Sequence, residues 1–135
     1  MTQFRRLRLR SNHTATHILN FNLREVLGDH IDQKGSLVSP TKLRFDFSHK
    51  CQLSLQELAK IEGMNTEWVQ RDVKVYSQEL DLQTAYKIPG LRAVFGESYP
   101  DPVRVVTLDH DVNDIVKDIE NPKWRKTSIE FCGGT

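Results

Sequence analysis

Two histidines, His13 and His17, stand four residues apart within a run whose apolar residues recur at helical spacing. Ala15, Ile18, Leu19, Leu23 and Val26 form one stripe near the 3.6-residue period, which predicts a helix over Ser11 to Leu27. Such a helix must bury its stripe against a second layer, so this run constrains the fold more than any other. Ser11 reads as the N-cap, its hydroxyl accepting from a first-turn amide, and Gly28 is placed to end the helix. Positions i and i+4 share a helix face, so both imidazoles can reach one metal ion at the rim of a core. The spacing alone leaves a second reading open, because two solvated or core histidines look the same.

The flanking segments extend the pattern. Phe4 to Arg10 alternates, with Arg6, Arg8 and Arg10 on one side and Leu7 and Leu9 on the other, which predicts a half-buried strand with a basic face. With Arg5, these arginines are either a solvated edge or a surface for nucleic-acid phosphates. Gln33 to Val38 and Leu43 to Phe47 read as a hairpin around a Ser-Pro-Thr-Lys turn. Leu43, Phe45 and Phe47 share its inner face; Arg44 and Asp46 are an exposed face or support for a nearby site.

Ser54-Leu55-Gln56-Glu57 is a capping box opening an amphipathic helix to about Arg71, weakened by Gly63. A strand follows over Val73 to Ser77, then a short helix over Leu82 to Lys87 broken by Pro89-Gly90. Leu91 to Pro102 reads as loop and Val103 to Leu108 as strand. Asp109-His110-Asp111 reads as an acidic surface loop, Val112 to Glu120 as one or two helical turns, and Thr127 to Phe131 as a strand delivering Cys132. Helices and strands mix without strict βαβ alternation, which predicts α+β, with helices packed on a largely antiparallel sheet in two layers. We expect one domain over residues 1–135.

Composition removes several classes. Charged residues make up 27% and the net charge is +1, so no global field draws the chain to nucleic acid. No apolar run reaches the ~20 residues of a membrane span, and no signal sequence is visible. Two cysteines, Cys51 and Cys132, make no disulfide framework, which points to a reducing compartment.

Cysteine beside histidine suits zinc better than calcium or magnesium. Asn12-His13-Thr14-Ala15-Thr16-His17 together with Glu130-Phe131-Cys132-Gly133-Gly134-Thr135 resembles the editing domain of alanyl-tRNA synthetase, whose zinc ligands follow HxxxH and CxxxH patterns. QKGSLV, LRFDF and LRAVFGESYPDPVRVV resemble the same domain, and the Tyr-Pro-Asp-Pro wording looks like its eukaryotic branch. The threonyl-tRNA synthetase editing domain shares the metal pattern, but RFDF and LRAVFGESYPDPVRVV favour the alanyl enzyme.

The resemblance implies zinc held by His13, His17 and Cys132, converging within about 4 Å of one point. His30, His49 and His110 are not expected to join them. It also implies hydrolysis of serine or glycine misattached to tRNA(Ala), which a pocket for alanine cannot reject by binding alone. Zinc with an open position can lower the pKa of water to about 7 and polarise a carbonyl, or instead hold the substrate's hydroxyl or amino group. Gly133 and Gly134 let backbone amides approach an oxyanion or the terminal adenosine. Thr14 and Gln33 are expected to contact substrate, and Arg5, Arg6, Arg8 and Arg10 the tRNA. The expected partners are the tRNA(Ala) acceptor end and the rest of a synthetase chain, in the cytoplasm or mitochondria and away from membranes. The CxxxH pattern stops at Thr135, one residue short of its histidine, so the resemblance implies a fragment with weak zinc retention, low stability and little activity. A freestanding deacylase and a non-catalytic tRNA-binding module are the other classes left open.

Overall fold

The computed structural model describes residues 2–93 and 97–132. Its contacts divide the chain into two compact units, one reaching to Asp72 and the other beginning at Val73. Both combine helices with sheet, and the fold is α+β.

The first unit is built on α1, Gln3–Leu27, which packs against α2, Leu55–Arg71, and against a hairpin of β1, Gln33–Val38, and β2, Leu43–Phe47. The expected strand over Phe4 to Arg10 is therefore helix, and the N-cap is Thr2 rather than Ser11, its hydroxyl accepting from the Arg5 amide at 3.3 Å. Over seven residues an alternation of Leu and Arg fits either period, and both residues are good helix formers. Ser11 and Asn12 do not break the helix; the Asn12 side chain instead donates to the Ser39 carbonyl at 2.6 Å, tying α1 to the hairpin turn.

Gly28 ends α1 at φ +114°, as its position predicted. The hairpin is antiparallel with a bulge between Gln33 and Gly35. The capping box of α2 is complete: Glu57 N–H donates to Ser54 Oγ, and Ser54 N–H donates to the Glu57 carboxylate. That backbone hydrogen bond from Ser54, foremost, holds the Glu57 carboxyl below its ordinary value. Gly63 lies within α2 without interrupting it. Leu23, Ile31 and Ile61 form the core, with Leu19, Val26, Phe45 and Phe47 packed around them. Asn22, fully buried, donates to Asn65 Oδ1 at 2.7 Å and joins α1 to α2.

Among the described residues, the second unit holds a four-stranded sheet in the order β3-β5-β6-β4. β3, Val75–Leu80, pairs antiparallel with β5, Val103–Leu108, which pairs antiparallel with β6, Ile129–Phe131. β3 begins two residues later than the expected Val73 and runs to Leu80, because the left-handed Asp72 (φ 50°) ends α2 and the ladder opens only where Val75 meets Leu108. β4, Leu91–Arg92, lies in the expected loop as a short parallel partner of β6, a pairing that local pattern does not encode.

α3, Leu82–Tyr86, and α4, Val112–Lys117, fall where short helices were expected, each capped by an aspartate, Asp81 and Asp111. A 3-10 turn over Pro122–Lys126 precedes β6, which shortens the expected Thr127 to Phe131 strand. Ala85, Ile88, Val103, Val105, Ile115, Trp124, Ile129 and Phe131 make the core.

Gly90 sits where this unit closes on itself. Its φ is +81°, and a Cβ there would stand 2.7 Å from Arg125 Cα and 2.9 Å from the Trp124 carbonyl oxygen. Backbone cannot step aside as a side chain can, so Gly90→Ala should cost more than the roughly 1 kcal/mol of left-handed strain alone. Urea unfolding of Gly90→Ala beside Gly63→Ala, where nothing lies within 4 Å, checks this: the first should fall in midpoint and the second should not.

Candidate metal centre

His13 and His17 share one face of α1, their ring centroids 5.1 Å apart and their planes at 85°. His17 is 5% exposed and His13 half-buried, so the pair lies at the rim of packed structure, as the sequence suggested. Thr16 Oγ1 donates to the His13 carbonyl at 2.6 Å, which keeps that hydroxyl within the helix. Two imidazoles one turn apart on a rigid helix fit the nitrogen half of a zinc ligand set.

In the second unit, Cys132 follows β6 directly, half-buried, as a strand delivering it requires. Its amide donates to the Arg104 carbonyl at 3.1 Å, continuing the β5–β6 ladder one step beyond the Val105–Phe131 pair. Gly133 and Gly134, proposed for the oxyanion or adenosine, lie outside the described residues.

Thr14 is half-buried on α1, next to His13 in sequence. Gln33 is half-buried at the first position of β1, opposite Phe47. Arg44 Nε and Asp46 Oδ1 form an ion pair at 3.1 Å on a well-exposed strand face, which accounts for both as surface residues. Asp111 caps α4 and His110 sets its ring edge-on to Trp124 at 5.3 Å, so the Asp-His-Asp segment is turn and cap.

The helical state of residues 3–10 regroups the arginines. Arg6, Arg8 and Arg10 were expected on one strand face; in the helix they separate, Arg8 lying with Arg5 on one side of α1 and Arg6 with Arg10 on another. Arg8 lies over the Phe4 ring at 4.3 Å. Arg6 and Arg10 line a shallow groove with Gln3 and Leu7.

Positions 6, 10, 13, 17, 20 and 24 follow alternating steps of four and three, so Arg6, Arg10, His13, His17, Asn20 and Arg24 form one polar stripe down α1. Its middle is buried, with Asn20 4% exposed. Sequence reading missed this stripe because the apolar residues of the same helix were the stronger periodic signal. Its own period was available from the spacing once residues 3–10 are taken as helix.

No protein-family model matches the chain. It is 58% identical to an alanine–tRNA ligase of Candida albicans and 52% identical to a mitochondrial alanine–tRNA ligase of Saccharomyces cerevisiae, over 98% of its length in each case. It is 47% identical to a cytoplasmic alanine–tRNA ligase of Dictyostelium discoideum over 97% of its length. The chain spans 14% of the length of each of these relatives. Among the described residues, no helix is long and apolar enough to cross a membrane.

Proposed function

We propose, for a chain homologous to one region of alanine–tRNA ligases, that this region edits: it hydrolyses serine or glycine misattached to tRNA(Ala). The observation that carries the reading is the His13–His17 pair on one face of α1, within a sequence 58% identical to such a ligase. His13, His17 and Cys132 would hold zinc, the first two as imidazoles and the third as thiolate. Bound there, zinc would supply Lewis acidity at the ester carbonyl, or a positive centre for the substrate's hydroxyl or amino group.

The chain's own side chains have separate tasks in this reading. Thr14 and Gln33 orient the aminoacyl group by hydrogen bonds, and Thr16, its hydroxyl committed to the His13 carbonyl, does not compete for substrate. Gly133 and Gly134 offer backbone amides to the developing oxyanion or to the terminal adenosine. Arg6 and Arg10, two turns and one turn before His13 on the same face, contact the phosphates of the acceptor end. The natural partners are then tRNA(Ala) and the rest of a synthetase, in the cytoplasmic or mitochondrial compartment.

The test is selective hydrolysis. Seryl- and glycyl-tRNA(Ala) should be deacylated and alanyl-tRNA(Ala) spared, measured by release of labelled amino acid. Equal rates on all three esters would make this a nonspecific esterase, and binding without hydrolysis of any would leave a tRNA-binding module. The arginine assignment has its own check. Arg6→Ala with Arg10→Ala should weaken tRNA binding and reduce the log K against log salt slope by roughly 1.4–1.8, at about 0.7–0.9 per phosphate contact. Arg5→Ala with Arg8→Ala should change it less, and the reverse order would refute the shared face.

A further inference from the structure

Two grooves meet at Leu7 on the first turns of α1. One is the cationic groove of Gln3, Arg6 and Arg10. The other runs between α1 and the hairpin turn and is lined by Phe4, Arg8, Asn12 and Pro40 with the same Leu7. Phe4 is 64% exposed and Leu7 53%, so an aromatic and an aliphatic side chain face solvent beside a row of arginines.

The second groove is set by the fold. The Asn12 side chain donates to the Ser39 carbonyl at 2.6 Å and holds the hairpin turn against α1. The Ser39 amide donates to the Lys42 carbonyl at 2.9 Å, and Ser39 Oγ accepts from the Lys42 amide at 3.1 Å, so Pro40 stands as a fixed wall. Arg8 lies over the Phe4 ring at 4.3 Å and covers one of its two faces. The exposure of Phe4 therefore belongs to the opposite face and the ring edge. No acidic residue precedes Glu25 in the chain, so no carboxylate on this stretch of α1 repels a polyanion.

We propose that Phe4, backed by Arg8 and walled by Pro40, stacks an unpaired base of a single-stranded RNA whose phosphates run along Arg6 and Arg10. A cationic track beside an open aromatic ring is what a single strand needs: the phosphates supply attraction, and the ring takes a base of any identity. A duplex keeps its bases stacked inside and can use the arginines alone. Arg8, engaged with the ring, is a positioning residue here and not a phosphate contact. Phe4 lies about 13 Å before His13 along the helix axis, at 1.5 Å per residue. The base seated on it thus precedes the nucleotide that carries the ester. The proposal takes its RNA partner from the editing reading, and nothing of its zinc or hydrolysis.

The probe is a short single-stranded RNA carrying 2-aminopurine, titrated without added zinc, beside the same strand closed in a duplex. Its fluorescence should fall as the unaltered chain binds. Phe4→Leu keeps apolar bulk at an exposed position but has no ring; it should lose the quenching and bind at least about fivefold more weakly, the low end of what one stacked base contributes. Its log K against log salt slope should match the parent's, because no charge is removed. Phe4→Tyr restores the ring and should restore both readouts. Arg6→Ala with Arg10→Ala should flatten the slope and keep the quenching at saturation, and the duplex should bind the parent and Phe4→Leu alike. A Phe4→Leu chain that quenches and binds as the parent does would overturn the proposal, even with seryl-tRNA still hydrolysed, and so would a parent that binds duplex and strand without quenching. Quenching by a chain that spares every aminoacyl ester would overturn the editing reading alone and uphold this one.

Discussion

If the proposed editing function holds, Cys132→Ala should abolish zinc binding and hydrolysis of seryl-tRNA while leaving the fold in place. The variant removes Sγ and nothing of the backbone. The Cys132 amide still donates to Arg104, so the end of the β5–β6 ladder is kept. The residue is half-buried, so little packed volume is lost. His17→Ala is a poorer test, because His17 is buried within α1 and its loss mixes a cavity with a missing ligand.

A Lewis-acid metal supplies several kcal/mol and each 1.4 kcal/mol is tenfold, so the rate should fall at least about a hundredfold. The measurements are zinc by atomic emission, a thermal melt by circular dichroism, and seryl-tRNA hydrolysis. A variant that deacylates at the unaltered rate would leave zinc structural or irrelevant. Gln33→Ala should weaken editing less, as a positioning residue does.

Trp124→Ala should be among the most damaging single changes in the second unit. Trp124 is 3% exposed, its ring contributes to the core, and its Nε1–H donates to the Asp118 carbonyl at 2.8 Å. Truncating a buried tryptophan costs about 3–5 kcal/mol, a large share of what a small domain has. Trp124→Phe separates the terms: it keeps most of the ring and loses the hydrogen bond, for about 1 kcal/mol. Trp68, half-buried on α2 with Phe21 at 5.4 Å, is the control in the first unit. Urea unfolding followed by circular dichroism gives the order expected: Trp124→Ala lowest, Trp124→Phe intermediate. A Trp124→Ala protein within about 1 kcal/mol of the parent would refute the core described here.

The local code carried the elements whose signals are chemical and close in sequence. Ser54 and Glu57 announce the start of α2, Gly28 the end of α1, and the β-branched run at Val103 a strand; each signal is read within a few residues. The histidine pair was readable for the same reason, since four residues of helix bring the two rings together.

Where the sequence reading failed, the deciding partner was distant or the window too short. Phe4 to Arg10 fits two periods equally, and it is helix because it continues a helix capped at Thr2. Leu91 and Arg92 are strand only because β6, far along the chain, offers an edge. A second histidine pair, His30 Nε2 lying 3.0 Å from His49 Nδ1, could not be foreseen at all, for it exists only because the Asp32–Ser48 hydrogen bonds close a loop between two segments that share no local pattern. Residue type and spacing set which imidazoles a helix can pair; folding alone chose this second pair, because the contact is made by chain closure and not by helical repeat.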